Sequence, residues 1–136
     1  MRRRRGAGVR IEERLDAGWF VGELIRRGYR MGGGVPCSWL SSLTDTLLDD
    51  ARFQYVTTAQ EGEAVAVAAG ADLAGVKGLV TMQNSGLTNA GSVLTSYNYP
   101  FKRGLLLLVS WRGEPGSGDE PQHELMGEVI KEQLDL

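Results

Sequence analysis

The stretch FQYVTTAQEGEAVAVAAGADLAGVKGLVTM, Phe53 to Met82, decides the fold. Phe53 to Thr57 is dominated by aromatic and β-branched residues, and such a run reads as a short strand. From Glu61 to about Gly75 the chain turns alanine-rich, with Ala64, Ala68 and Ala71 at helical spacing. Small residues on that stripe predict a helix that packs closely on a sheet. Gly78 to Met82 then returns to strand-type residues. Strand, helix and strand in this order call for a parallel pair, because a parallel connection must carry the chain back across the sheet.

The alternation extends in both directions. Between Ile11 and Arg27, Leu15, Trp19, Phe20 and Leu24 recur at helical spacing, and Gly28 stands where a helix stop is expected. Tyr29 to Met31 is a strand expected to enter a loop at Gly32-Gly33-Gly34-Val35-Pro36. Ser38 is expected to cap a helix carrying Leu40, Leu43, Leu47 and Leu48 on one side. After Met82 comes a turn, Gln83-Asn84-Ser85-Gly86, and a helix through about Tyr97. Gly104 to Ser110 is almost wholly apolar, as suits the buried centre of a sheet. A loop from Trp111 to Pro121 leads to an amphipathic helix, Gln122 to Leu134. The expected fold class is therefore α/β, a three-layer arrangement of a mostly parallel sheet with helices on both faces, of four strands and five helices.

The bulk composition restricts function. With 136 residues the chain suffices for one ordinary domain, and its 42% apolar and 24% charged residues are those of a globular protein. A net charge of -2 offers no field to draw in nucleic acid. Arg2 to Arg5 and Arg10 form a basic N-terminus, residues 1–10, expected to be disordered; residues 11–136 form the domain, and further C-terminal elements are expected to be missing from it. The longest apolar run, Leu105 to Val109, has strand length, so no membrane contact is expected. One cysteine, Cys37, allows no internal disulfide. A cytoplasmic location is expected.

Ligands of open parallel sheets sit beyond the carboxyl ends of the strands. Four Gly-punctuated polar turns fall there: Gly34 to Ser38, Thr58 to Gly62, Gln83 to Gly86 and Trp111 to Gly116. Neither G-x-G-x-x-G after a strand nor a Walker loop is present, so ordinary dinucleotide or ATP binding lacks its fingerprint. One histidine and one cysteine far apart make no conventional zinc site, and no metal ligands are expected. Ser38, Ser85 and His123 have no G-x-S-x-G elbow to make them a hydrolase set.

The segments Gly34-Val35-Pro36-Cys37-Ser38, Glu61 to Gly70 and Met82 to Asn89 together resemble the pyrimidine-binding domain of the thiamine-diphosphate-dependent phosphonopyruvate and sulfopyruvate decarboxylases. The resemblance runs from about Trp19 onward. Trp111-Arg112-Gly113-Glu114-Pro115-Gly116 and Asp119-Glu120-Pro121-Gln122-His123 look like the phosphonopyruvate branch. The family likeness implies that Glu61 bonds the aminopyrimidine ring of thiamine diphosphate and promotes its activation, with Pro36 and Gln83 also against the cofactor. It implies that Ser38, Asn84, Ser85, Arg112 and Gln122 face the 2-oxo-acid substrate, Arg112 gripping a phosphonate by a forked contact. His123, the only histidine, is expected to return a proton after carbon dioxide leaves. Cys37 is expected to be a small buried filler.

The family's diphosphate- and Mg2+-binding motif, Gly-Asp-Gly with a downstream Asn, is not in these 136 residues. The resemblance therefore implies a diphosphate-binding partner, a β subunit or domain that holds the Mg2+, in a hetero- or homo-oligomer. The expected reaction is conversion of 3-phosphonopyruvate to phosphonoacetaldehyde and CO2 in phosphonate biosynthesis. A sulfopyruvate or other 2-oxo-acid decarboxylase α subunit, or a non-catalytic remnant of the pyrimidine domain, is the alternative.

Overall fold

The computed structural model describes residues 16–135. Four parallel strands, β1 (Tyr29–Gly34), β2 (Gln54–Thr57), β3 (Lys77–Gln83) and β4 (Leu106–Ser110), form one sheet in the order β2-β1-β3-β4. Helices α1 (Ala17–Arg26) and α2 (Ser41–Asp49) cover one face; α3 (Glu61–Leu73), α4 (Leu87–Val93) and α5 (Glu124–Leu134) lie on the other. The three-layer α/β expectation holds.

Strand pleating divides the apolar residues between the two layers. On β3, Leu79 joins Val21, Leu24, Ile25, Leu47 and Phe53, while Val80 and Met82 join Ala64, Val65, Ala68, Leu87, Ala90 and Ile130. On β4, Leu106 and Leu108 go to the first cluster, Leu107 and Val109 to the second, which the preceding Leu105 also joins. The alanine stripe of α3 is buried as its sequence predicts. It can lie that close because the second residue of β3 is Gly78, where a Cβ would come 2.9 Å from the Ala68 carbonyl oxygen.

The expected first helix starts, within the described residues, at Asp16, whose carboxylate accepts the Trp19 amide at 2.7 Å and so caps it. Leu15 and the basic stretch 1–10 lie outside the described residues. The buried stripe is Val21, Leu24 and Ile25, and Trp19 faces solvent.

Three expectations are corrected. The glycine triad is strand, not loop: β1 continues through Gly34, since Gly32 and Gly34 lie against the Leu79 and Thr81 carbonyl oxygens and only glycine permits that approach. Ser38 caps nothing; it opens a 3-10 turn, Ser38–Leu40, and α2 starts at Ser41 without a side-chain cap, with Leu48 exposed. The helix after Gly86 has its expected extent, α-helical to Val93 and then a wider π turn, Leu94–Asn98. The apolar strand β4 is an edge, not a centre, pairing only with β3 among the described residues.

Candidate active site

The strand order places a topological switch between β1 and β3: the chain leaves β1 toward β2 and leaves β3 toward β4. A crevice opens at such a point beyond the carboxyl ends, where doubly wound sheets bind ligands. The turns carrying Pro36, Cys37 and Gln83 to Gly86 leave the sheet there.

Glu61 occupies the first position of α3 and is only 8% exposed. An acidic residue at a helix start ordinarily points into solvent and answers the helix dipole. Glu63 does that: it is exposed, and its carboxylate accepts the Ala59 amide at 3.1 Å. Glu61 turns instead toward α4, where Oε2 accepts Asn89 Nδ2–H at 2.9 Å. Its Cγ, carboxyl carbon and Oε1 occupy the space that a side chain at position 86 would take, so Gly86 is the cradle of this carboxyl. Oε1 makes no hydrogen bond to protein among the described residues. A buried carboxyl with one oxygen fixed and the other uncommitted suits a group that must bond a ligand.

The second cluster is built on Gln83, the last residue of β3. Its Nε2 donates to Ser85 Oγ at 2.8 Å and lies 3.3 Å from His123 Nδ1. On the other side the Cys37 thiol donates to Gln83 Oε1 across 4.0 Å, and Cys37 Sγ is 3.3 Å from Ser110 Oγ. The ends of β1, β3 and β4 and the start of α5 thus meet around one amide. Cys37 and Ser110 are buried.

The remaining expected site residues are placed differently. Asn84 is fully buried; its Nδ2 donates to the Arg112 carbonyl at 2.7 Å and its Oδ1 accepts the Ser85 amide, so its amide braces the turn. Pro36, Ser38 and Gln122 are exposed, and the side chains of Ser38 and Gln122 make no hydrogen bond among the described residues. Arg112 is forked onto Asp119, with Nε–Oδ2 and Nη2–Oδ1 both 2.7 Å, and its guanidinium lies 4.8 Å from the centre of the Trp39 ring. Asp119 also accepts the amides of Gly113 and Glu120, closing the Trp111–Pro121 loop on itself. Beneath this loop is a hollow of about 280 Å³ lined by Gly113 to Asp119, Glu124 and Glu128. Gly113, at φ +71°, lies directly against the His123 carbonyl, and Trp111 Nε1 donates to the Gly127 carbonyl at 2.8 Å. The loop therefore positions His123 through its backbone.

The hydrogen bond from Arg112, then those from the Glu120 and Gly113 amides, hold the Asp119 carboxyl well below the usual carboxylate range, against the opposing effect of burial. Asp119 in turn raises the Arg112 guanidinium. A carboxyl more acidic folded than unfolded stabilises the fold fully above its unfolded value, about pH 4, and loses that effect as pH falls toward the folded value. Asp119→Asn removes it. Acid titration followed by intrinsic tryptophan fluorescence is expected to show wild type losing extra stability below about pH 4; the variant starts less stable at neutral pH and lacks that steep limb. Superimposable titrations would contradict the assignment.

Asn89, Gly86, Ser110, Asp119 and Trp39 are the residues that sequence reasoning missed. Asn89 is 28 positions from Glu61, and no local pattern marks the pair. Asp119 had a usable local signal, an acid seven residues from an arginine in a Gly-Pro loop.

Fold and site together define an α/β domain whose strand ends, at a topological switch point, carry a buried carboxyl and a polar side-chain cluster. Comparison with known proteins gives the particular relationship. No family model matches the chain. A phosphonopyruvate decarboxylase of Streptomyces viridochromogenes is 44% identical over 122 residues, 90% of this chain and 31% of that protein. A phosphonopyruvate decarboxylase of Streptomyces hygroscopicus is 49% identical over 115 residues, 85% of this chain and 29% of that protein. The sulfopyruvate decarboxylase subunit alpha of Methanocaldococcus jannaschii is 34% identical over 102 residues, covering 75% of this chain and 60% of that subunit. The chain is thus similar over most of its length to phosphonopyruvate decarboxylases, and spans about three tenths of theirs.

Proposed function

We propose that this chain forms the pyrimidine-binding half of a thiamine-diphosphate-dependent carboxy-lyase that converts 3-phosphonopyruvate to phosphonoacetaldehyde and CO2 in phosphonate biosynthesis. The observation that carries the reading is the buried Glu61 carboxyl, fixed by Asn89 at one oxygen and uncommitted at the other. When bound, thiamine diphosphate supplies the nucleophilic carbon and the electron sink for decarboxylation. Glu61 Oε1 is the group that bonds its aminopyrimidine ring and holds or releases a proton there. The Gly86 cradle sets the position of the carboxyl, and Asn89 sets its rotation. Pro36, exposed in the turn after β1, is assigned to the cofactor side of the same strand edge.

On the substrate side, Ser85 and His123 are held by Gln83, and His123 Nε2 is the ring nitrogen left to hand or share a proton. Arg112, committed to Asp119 through Nε and Nη2, offers Nη1 to an anionic phosphonate. Ser38 and Gln122, both exposed, stand ready to donate to substrate oxygens. Mg2+ and the diphosphate belong to a partner domain or β subunit carrying the Gly-Asp-Gly motif, in a hetero- or homo-oligomer. Cytoplasmic placement accords with a single buried, unpaired cysteine and with no helix among the described residues long and apolar enough to cross a membrane.

Sulfopyruvate is the second substrate to consider, because the sulfopyruvate decarboxylase alpha subunits also align, at 34–36% identity. The higher identity to phosphonopyruvate decarboxylases supports phosphonate. The decisive experiment reconstitutes the chain with a Gly-Asp-Gly-containing partner, thiamine diphosphate and Mg2+, and measures CO2 release from both 2-oxo acids. Turnover of phosphonopyruvate above sulfopyruvate is expected; the reverse preference overturns the substrate. Failure to bind the cofactor with any such partner overturns the half-site.

A further inference from the structure

We infer that Gln83 is a positioning residue that fixes the tautomer of His123, so that His123 works as a neutral hydrogen-bond donor through Nε2. This rests on the proposed reading only in placing His123 on the substrate side.

The argument follows from what each group can donate. An amide nitrogen has two N–H bonds and no acceptor capacity; an amide oxygen only accepts. Gln83 Nε2 faces two partners, Ser85 Oγ at 2.8 Å and His123 Nδ1 at 3.3 Å, one for each N–H. Gln83 Oε1 faces the Cys37 thiol. In the opposite orientation the oxygen could accept from the Ser85 hydroxyl and from a protonated Nδ1, but both amide N–H bonds would be left facing a sulfur, which accepts weakly; that loss of two donors' partners disfavours it. Behind Cys37, the Ser110 hydroxyl lies 3.3 Å from Sγ and can donate to it, leaving the S–H free for Gln83 Oε1. Donation therefore runs one way: Ser110 to Cys37, Cys37 to Gln83, Gln83 to Ser85 and His123.

Nδ1 is then an acceptor. A neutral imidazole with an acceptor at Nδ1 carries its hydrogen at Nε2. A second proton at Nδ1 would meet the Gln83 N–H head on. Nε2–H makes no hydrogen bond to protein among the described residues and His123 is half-buried, so this hydrogen is available to a substrate oxygen. In this state His123 shares its proton with developing negative charge and does not give it up, so the expected proton return falls to another group, such as solvent.

Because the chain has one histidine, the tautomer can be read without interference. The full chain, alone and in the reconstituted complex, is labelled with 15N-histidine and examined by long-range 1H–15N correlation at neutral pH. Wild type is expected to show Nε2 protonated and Nδ1 bare. Gln83→Glu places an acceptor at Nδ1 and is expected to invert the pattern, with kcat lowered on the order of a hundredfold, as for loss of one donor to a developing oxyanion. Gln83→Met, apolar and of similar length, is expected to give both tautomers and an intermediate kcat, with KM less affected. Far-UV circular dichroism tests that each variant is folded; an unfolded variant leaves the wild-type spectrum as the deciding datum. A wild-type Nδ1 that is protonated overturns the inference, as does a Gln83→Glu spectrum identical to wild type. If the tautomer is as stated but His123→Leu leaves decarboxylation unchanged, the placement of His123 in the site fails while the role of Gln83 stands.

Discussion

In the reconstituted complex, Glu61→Gln is expected to lower the decarboxylation rate on the order of 10²–10⁴-fold with the fold intact, the range for removal of a positioned proton-transfer group. Glutamine has nearly the same shape, so it still fits the space left by Gly86 and its amide oxygen can still accept from Asn89. What it loses is the ability to hold and release a proton at the oxygen that Asn89 does not fix. The loss should appear in kcat, with the thermal midpoint close to wild type. Glu61→Asp, which keeps the carboxyl but withdraws it by one methylene from Asn89 and Gly86, is expected to fall between the two. Single-turnover measurements with saturating cofactor separate this effect from weaker binding. A Glu61→Gln rate within a few-fold of wild type would remove Glu61 from the chemistry and leave it a buried, hydrogen-bonded helix start.

Periodicity carried most of the fold because the two layers of core are written in it. The alanine stripe of α3 and the alternating leucines of β4 each report which way a side chain points. The glycine triad did not report itself as strand, since glycine propensity argues for loops; what overrides it is the close approach of β3, a tertiary fact. For the same reason the apolar run at β4 could not reveal that it lies at an edge, because composition gives burial and not neighbours. Glu61 was singled out through its motif, whereas its hydrogen bond to Asn89, in a separate motif, could not be read from either. Arg112 shows the limit most clearly. Its sequence setting suggests a free cation for an anionic substrate, whereas Asp119 already takes two of its nitrogens. Any anion that approached it would meet a guanidinium already charge-paired with Asp119 and backed by Trp39. That favours orientation of the ligand over raw attraction.

Gly34→Ala is expected to destabilise the domain by roughly 3 kcal/mol or more, from overpacking and loss of a buried hydrogen bond. The added Cβ would meet the Thr81 carbonyl oxygen, Thr81 Oγ1 and the Tyr55 hydroxyl. Tyr55 and Thr81 are hydrogen-bonded to each other, and Thr81 is buried. The first obstacle is backbone, so no rotamer change relieves it. β1 lies between β2 and β3, and Gly34 pairs with Thr57 on one side and Thr81 on the other. Relief therefore means parting β1 from β3 at its carboxyl end, where the turns bearing Cys37 and Gln83 leave the sheet. Against a total stability of about 5–15 kcal/mol the cost is large, and the contact between Cys37 and Gln83 should loosen with it. Gly70→Ala is the control: it lies inside α3 with nothing within 4 Å of an added Cβ, and alanine there is expected to stabilise by up to about 1 kcal/mol. Urea unfolding midpoints at equal m-value should move in opposite directions for the two. Equal midpoints would mean that the strand can absorb a side chain at Gly34, and that the glycine triad is not what allows β1 to lie so close to β3.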